Sequence, residues 1–250
     1  MHIGPPEDFL SASYPDFEEI HRFGEEKISR LLESLENVGE YEGRLREYAR
    51  IGIDVVTFLD TEYPERLRKI NAPPPILYLK GKREVMSREF IAIVGTTKPN
   101  QESLSFAVDL SRELSLRGFG TVSGLAAGID SAAHLGAVKE KGITIAALGC
   151  GVLNIYPEEN ISLAKQIESD GLLISEHDPY TKVSRPNLVL RNRIISALSK
   201  AVVVAQIGEK TTGELITASY AIKQARPLFY GNPDGQLDLL LGVIVCGPRV

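Results

Sequence analysis

From residue 90 onward, short apolar runs alternate with longer stretches that carry apolar residues at helical spacing. The predicted strands cover residues 90–95, 120–124, 143–149, 172–176, 201–206 and 227–231. Parallel strands have this near-continuous apolar character because helices cover both faces of their sheet. The alternation predicts an α/β fold: an extended Rossmann-like, mostly parallel, doubly wound sheet with right-handed crossovers.

Residues 1–70 differ from the rest of the chain and predict a small helical N-terminal region. The stretches 25–38 and 40–52 place leucine, isoleucine and other apolar residues among charges at helical spacing, as in a helical hairpin. The segment NAPPP (71–75) then favours polyproline geometry, because consecutive prolines remove backbone donors. We therefore place the main Rossmann-like domain at residues 71–250.

The composition is that of a globular protein with a sizeable core: 250 residues, 43% hydrophobic and 24% charged. Because the net charge is -5, a polyanion would have to bind at a local basic patch.

No apolar run approaches the ~18 residues of a membrane span, and the N-terminus lacks signal-peptide features. We therefore expect a soluble, cytoplasmic protein with no membrane partner. Cys150 and Cys246 belong to no CxxC pair or Cys/His cluster, so we expect no metal site.

Four of the predicted strands end in loops rich in glycine and small or hydroxyl residues, which we number from first to fourth: residues 94–100, 123–130, 148–157 and 207–218. The carboxyl ends of parallel strands share one edge of the sheet, where ligands bind. Glycines permit close backbone approach, and a helix start offers amide groups and partial positive charge to an anion. A single loop of this kind serves tight packing as often as it binds a ligand, but four such loops at one edge predict that phosphate binds there. The candidate residues are Gly95, Thr96, Lys98, Ser123, Gly124, Gly128, Ile129, Asp130, Thr212 and Gly213.

The segment RPNLVLRNRIISALSK (185–200) adds two arginines at the beginning of a predicted apolar helix. Arg191 and Arg193 flank Asn192, and a guanidinium can donate two parallel hydrogen bonds to a phosphate. Each arginine could equally pair with an acid inside the protein, but the two together favour at least one facing a ligand. Neither G-x-G-x-x-G with a following acid nor G-x-x-x-x-G-K-[ST] is present, so we expect no dinucleotide cofactor and no P-loop.

The motifs SGLAAGIDSAAHLGA, LGCGVLNIYPEEN, ISE, RNRIISALSKAVVV and GELITASYA resemble, in order and spacing, those of DNA processing protein A, also called DprA or Smf. The leader YPERLRKINAPPPILYLKG resembles the same family, so the similarity covers about residues 54–231. The resemblance implies a Rossmann-like protein that binds single-stranded DNA, with no cofactor and no catalytic residues. The residues that it places in or beside the nucleic-acid pocket are Gly95, Ser123, Gly124, Gly128, Arg191, Asn192, Arg193 and Gly213.

The resemblance also implies a biological setting. Members of the family protect incoming DNA and load a RecA-like recombinase onto it, usually as homodimers. We therefore expect this protein to act in natural transformation and DNA recombination, and we do not expect it to be an enzyme. The winged-helix-like C-terminal extension of many members is not expected in this chain.

Departures from the family pattern leave a second function open. Thr97 stands where the family usually has an arginine, Leu188 and Val189 replace an aromatic–proline pair, and Glu214 replaces a small residue. A Rossmann-like protein that binds or processes a small nucleotide would also suit Thr97 and Glu214. Its candidate acids are Asp130, Glu176 and Glu214. A scaffold that only binds protein or dimerises is a third alternative.

Asp130 and His134 lie at the start of the predicted helix that follows the second loop. We expect the Asp130 carboxylate to cap helix amides rather than to act in catalysis, and to accept a hydrogen bond from His134 four residues later. No motif places a serine or cysteine nucleophile with this pair, so a hydrolytic triad is disfavoured.

Overall fold

The computed structural model describes residues 24–208, 213–231 and 237–239, the last of these by their backbone only. The chain divides into two compact units, Met1–Ile51 and Gly52–Val250. Each unit is described separately below.

The described part of the first unit consists of two helices, α1 (Glu25–Glu36) and α2 (Val38–Arg50), close to the two stretches that the periodicity predicts. Each buries one residue of its apolar face, Ile28 in α1 and Tyr48 in α2. Within α2, the Arg44 guanidinium donates to the Tyr48 hydroxyl oxygen at 2.9 Å. The rest of both helices is largely polar, which agrees with the charged composition of these stretches.

The second unit begins before residue 71, because β1 (Ile53–Thr57) pairs antiparallel with β2 (Ile76–Gly81) along its whole length. The short helix α3 (Glu65–Arg68), between these strands, buries Leu67 completely. The boundary therefore lies between residues 51 and 52 rather than between 70 and 71. The proline-rich segment is a connection inside the second unit, because a strand and a core residue that precede it belong to the same sheet and core.

Within the described residues, the second unit forms a nine-stranded sheet in the order β1-β2-β6-β5-β4-β3-β7-β8-β9. The remaining strands are β3 (Phe90–Gly95), β4 (Gly120–Ser123), β5 (Thr144–Ala147), β6 (Leu172–Ser175), β7 (Ser199–Gln206), β8 (Leu228–Gly231) and β9 (Leu237–Leu239). The strands from β6 to β8 in this order pair in parallel, whereas β1, β2 and β9 join by antiparallel pairing. The predicted mostly parallel, Rossmann-like sheet is confirmed.

Helices cover both faces of this sheet. They are α4 (Gln101–Leu116), α5 (Ile129–Lys139), α6 (Ile161–Asp170), α7 (Arg185–Leu198) and α8 (Gly213–Lys223). Alternate residues of β3 point to opposite faces. Ile93 packs in one apolar cluster with Ala107 of α4, whereas Val94 packs in another with Ile194 of α7 and Ala221 of α8. A strand buried on both faces needs apolar residues at every position, which explains the continuous run FIAIV.

Candidate nucleic-acid interface

A cavity of about 570 Å³ opens beyond the carboxyl ends of β3 and β4. From β3 the chain builds the sheet outward through β4, β5 and β6, and it then returns through α7 to place β7 on the other side of β3. Such a reversal of strand order leaves a crevice at the strand ends, and ligands of open α/β sheets bind there. The cavity lining comes from the four predicted loops and from α7 and α8.

The first loop contributes Gly95 and Thr97 to the lining, while Thr96 is buried behind them. Thr96 joins two elements: its N–H donates to Gln206 O at 3.0 Å, and its carbonyl accepts from Ile129 N at 3.3 Å. Lys98 is exposed beside the loop and does not line the cavity. The Thr96 hydroxyl accepts from Lys98 N–H at 3.2 Å instead of facing the cavity.

The second loop is held by a buried charge pair. The Gly124 N–H donates to Asp130 Oδ2 at 3.1 Å, and the Arg191 guanidinium donates from Nη1 to both Gly124 O and Ala147 O at 2.5 Å. A Cβ at Gly124 would lie 1.9 Å from Arg191 Nη1, so only glycine fits there. Arg191 is 5% exposed and lines the cavity, and its bonds fix the ends of β4 and β5 to α7.

Burial changes the proton affinity of both members of this pair. Desolvation raises the pKa of Asp130, and the Arg191 charge, the Ser123 hydroxyl and the Ala126 and Gly124 amides oppose the rise. Desolvation lowers the pKa of Arg191, and the Asp130 carboxylate opposes that fall. Removing one partner would take the nearby opposite charge away from the other, which is destabilising in a buried site. The pair therefore stabilises the shape of the loop.

His134 does not bond to Asp130, contrary to the expected local pair. Its Nδ1 lies 2.7 Å from Thr144 Oγ1, and that hydroxyl donates to Thr121 O at 2.9 Å. The hydroxyl therefore accepts from His134 Nδ1–H, which leaves Nε2 unprotonated; Nε2 is buried and has no partner among the described residues. Burial lowers the pKa of His134 to about 3, so the ring is neutral at pH 7.

Arg193 does not line the cavity, whereas the resemblance places it in or beside the nucleic-acid pocket. Its guanidinium donates to both oxygens of Glu176, at 2.5 and 2.6 Å, and its Nε donates to Ala72 O at 3.0 Å. The two side chains are only 6% and 10% exposed. The bidentate pair occupies both terminal nitrogens of the guanidinium, and the Nε bond to Ala72 O fixes the proline-rich segment to α7. Glu176 is thereby also removed from the candidate acids.

The other predicted residues divide into buried supports and cavity lining. Ser123 donates its hydroxyl to Ile93 O at 2.6 Å, and Ile129 is fully buried. Gly128 has φ 79°, and a Cβ there would lie 2.6 Å from Thr96 O, so this turn needs glycine. Asn192 and Gly213 line the cavity and bond to each other, with Asn192 Nδ2 3.2 Å from Gly213 O. Thr212 lies outside the described residues.

The cavity residues that are absent from the sequence-based candidates include Arg185 and Tyr156. Arg185 is exposed in the first turn of α7, and Tyr156 is 49% exposed; both line the cavity. The sequence contains a signal for the position of Arg185, because Ser184 followed by Pro186 is typical of a helix start. In the structure the Ser184 hydroxyl accepts a hydrogen bond from Asn187 N–H. The helix therefore begins at residue 185, which places the RNR triplet in the buried middle of α7 rather than at its beginning.

The described ranges contain no group of three His, Cys, Asp or Glu side chains placed to hold a metal ion. No helix in this part of the chain combines the length and apolar character needed to cross a membrane.

The fold is that of a Rossmann-like protein with a cavity at the reversal of strand order. The chain belongs to the DNA recombination-mediator protein A family, whose model matches residues 54–238. This membership confirms the resemblance to DprA and Smf.

Individual relatives agree with the family assignment. The chain is 39% identical to DNA processing protein DprA of Bacillus subtilis over 74% of its own length and 62% of the relative's. It is 37% identical to protein Smf of Synechocystis over 87% of its length and 56% of the relative's. The chain thus spans about three fifths of the length of these relatives.

Solved structures agree as well. DNA processing protein A of Streptococcus pneumoniae superposes with a TM-score of 0.68 at 32% identity, covering 71% of this chain and 62% of the other. The protein of the same name from Helicobacter pylori, described for its single-stranded DNA binding mode, superposes with a TM-score of 0.65 at 30% identity, covering 71% of this chain and 80% of the other.

Proposed function

We propose that the cavity binds single-stranded DNA, with phosphates at Arg185 and Lys98 and a base against the ring of Tyr156. The observation that carries the proposal is the exposed Arg185 guanidinium at the cavity, which pairs with no acid in the described part of the chain. A positive groove beside an aromatic ring suits a single strand, because the groove follows the phosphates and bases stack on the ring. The Helicobacter pylori relative that binds single-stranded DNA supports this reading.

The proposal changes which cations supply the affinity. Arg191 and Arg193 are engaged with carbonyl oxygens and carboxylates, whereas the sequence favoured them as phosphate ligands. Arg185 and Lys98 remain on the surface beside the cavity. We therefore assign the direct electrostatic contacts to these two residues and the shape of the site to the RNR triplet.

The test is the anisotropy of a labelled oligothymidine titrated with the protein at about 50 and about 200 mM salt. Affinity falls steeply with salt, because each neutralised phosphate releases counterions. Arg185→Ala lowers affinity about five- to tenfold and reduces the slope of log affinity against log salt by about one. The matched control is Arg117→Ala, which replaces an exposed arginine that follows the C-terminal end of α4 and pairs with Glu113. This variant is expected to leave DNA binding unchanged. Tight binding that ignores both salt and Arg185 would refute the proposal.

One observation favours a mononucleotide as a second candidate ligand. The cavity has a volume typical of small-molecule sites, and the carboxylate of Glu214 lines it. A thermal-shift screen separates the two ligands. Stabilisation by a mononucleotide, without any oligonucleotide binding, would support the second candidate and contradict the first.

We further propose that the site binds without catalysis. The Asp130 carboxylate accepts a hydrogen bond from the Gly124 amide and lies near Arg191. The neutral His134 ring donates to the Thr144 hydroxyl. Ser123 and Ser131, which lie in and just after the same loop, donate their hydroxyls to backbone carbonyls. These contacts support a structural role for the acid and the imidazole.

We propose that the protein acts in DNA uptake and recombination, as a homodimer that delivers single strands to a RecA-like recombinase. These finer assignments rest on family membership alone. The chain covers only part of the length of its relatives, so we state them as proposals.

A further inference from the structure

Glu214 is an acid at a site that otherwise suits an anion. It lies in the first turn of α8, is 3% exposed, and still lines the cavity. Its Oε1 accepts from the Gly208 N–H at 2.8 Å. Because a carboxylate has two oxygens and about four acceptor positions, this single bond leaves acceptor capacity for a ligand in the cavity.

The cavity consequently has a cationic end and an acceptor end. Arg185 and Asn192 are seven residues apart on α7, which corresponds to about 10 Å along the helix. Asn192 contacts Gly213, the residue next to Glu214. A nucleotide whose phosphate lies at Arg185 is long enough for its base to reach the Glu214 end of the same cavity.

We propose that Glu214 makes the site selective for guanine, an inference that rests on the proposed binding of single-stranded DNA. The Watson–Crick edge of a base is accessible in a single strand. Guanine presents two adjacent donors there, N1–H and the 2-amino group, which match the two oxygens of a carboxylate. Adenine and cytosine each pair one amino group with a ring-nitrogen lone pair, and thymine places one N–H between two carbonyls. Only guanine meets the carboxylate without a repelling lone pair.

The first experiment uses the unmodified protein and four oligothymidines that differ at one central position, dT, dG, dA or dC. We expect the dG strand to bind at least about fivefold more tightly than the other three, as a bidentate contact to a base edge discriminates by this order or more. Equal affinities for all four strands, or a preference for dA or dC, would overturn the inference. Failure to bind any strand would instead refute the proposed function itself.

The second experiment assigns the preference to one side chain. In Glu214→Gln the amide oxygen can still accept from Gly208, but the amide nitrogen opposes a guanine donor, so the dG preference disappears while oligothymidine still binds. The matched control is Glu158→Gln, which removes the same charge from an exposed acid outside the lining. The control keeps the dG preference. A preference that survives Glu214→Gln, or that Glu158→Gln abolishes equally, would show that Glu214 only caps the Gly208 amide.

Discussion

At the scale of single residues, two arginines separated by one position have different partners. Arg191 bonds to carbonyls that end two strands, whereas Arg193 pairs with Glu176 and the proline-rich segment. Both are buried, so each needs partners inside the protein to offset its desolvation. Their contribution to binding is therefore indirect: they set the positions of loops that a ligand contacts.

His134 gives a prediction about pH. Its pKa is about 3 in the folded protein, against the ordinary histidine value of 6.5 in the unfolded chain, so below pH 6.5 the unfolded chain binds the extra proton. The stability that it contributes is complete above pH 6.5 and is lost as the pH falls toward 3. Between pH 6.5 and about 5 we expect a loss of about 2 kcal/mol, measured by urea unfolding.

The control for this prediction is a comparison between proteins at the same pH. His134→Gln removes the contribution, so its stability changes less over this interval than that of the unmodified protein. Acidification has the opposite effect through Asp130, whose raised pKa lets the folded state take up a proton first, and this effect is shared by both proteins. An unchanged pH dependence in the variant would contradict the assignment.

At the scale of elements, the position of the second loop depends on how closely α5 approaches α4. Gly136 of α5 lies against α4, where a Cβ would stand 2.4 Å from Val108 O and 3.0 Å from Ser111 Cβ. Backbone cannot move aside as a flexible side chain can. A glycine in mid-helix is therefore a packing requirement here, despite its entropic cost.

Gly136→Ala is expected to destabilise the protein by about 1–3 kcal/mol, because the helices must separate to admit the methyl group. The matched substitution is Gly43→Ala in α2, where nothing lies within 4 Å of the added Cβ. That variant is expected to stabilise its helix by about 0.5–1 kcal/mol, through reduced chain entropy alone. Thermal unfolding followed by circular dichroism checks both signs. A stabilising effect of Gly136→Ala would contradict the close packing.

At the scale of the whole molecule, the boundary between the units has a direct consequence. The large core cluster of the second unit takes all its residues from the interval between Val56 and Leu228, and it includes Tyr63 and Leu67. The Tyr63 hydroxyl also donates to Pro74 O at 2.7 Å. The segment before the prolines is therefore part of the core.

Two truncations test this boundary. A chain that starts at Gly52 keeps β1 and the core, so we expect it to be monodisperse in size-exclusion chromatography and to unfold cooperatively. A chain that starts at Asn71 loses a strand and several buried side chains, each worth about 1.5–3 kcal/mol of burial, and is expected to aggregate or unfold well below the first. Equal stability of the two chains would place the boundary at residue 71 after all.

Local sequence was sufficient for the elements. The strand at Phe90–Gly95 has the predicted bounds, and α5 begins at Ile129, one residue before the Asp130 that was expected at a helix start. Apolar period and glycine position report burial and turns, and these are local properties. The carboxyl edge of the sheet, as the side that binds ligand, followed from the same pattern, since the carboxyl ends of parallel strands meet there. The beginning of α7 was predicted wrongly at Arg191, because Ser184 and Pro186 start the helix at Arg185.

Partners across the fold depended on the tertiary structure. Arg191 reaches carbonyls 67 and 44 positions away, and Arg193 bonds to a carboxylate on another strand end. The spacing of apolar residues shows that a charged residue among them will be buried. The hydrogen-bond partner of that residue depends on which segments lie next to it after the sheet has assembled. For the same reason Arg185, Tyr156 and Glu214 could be assigned to one cavity only when the loops were in place.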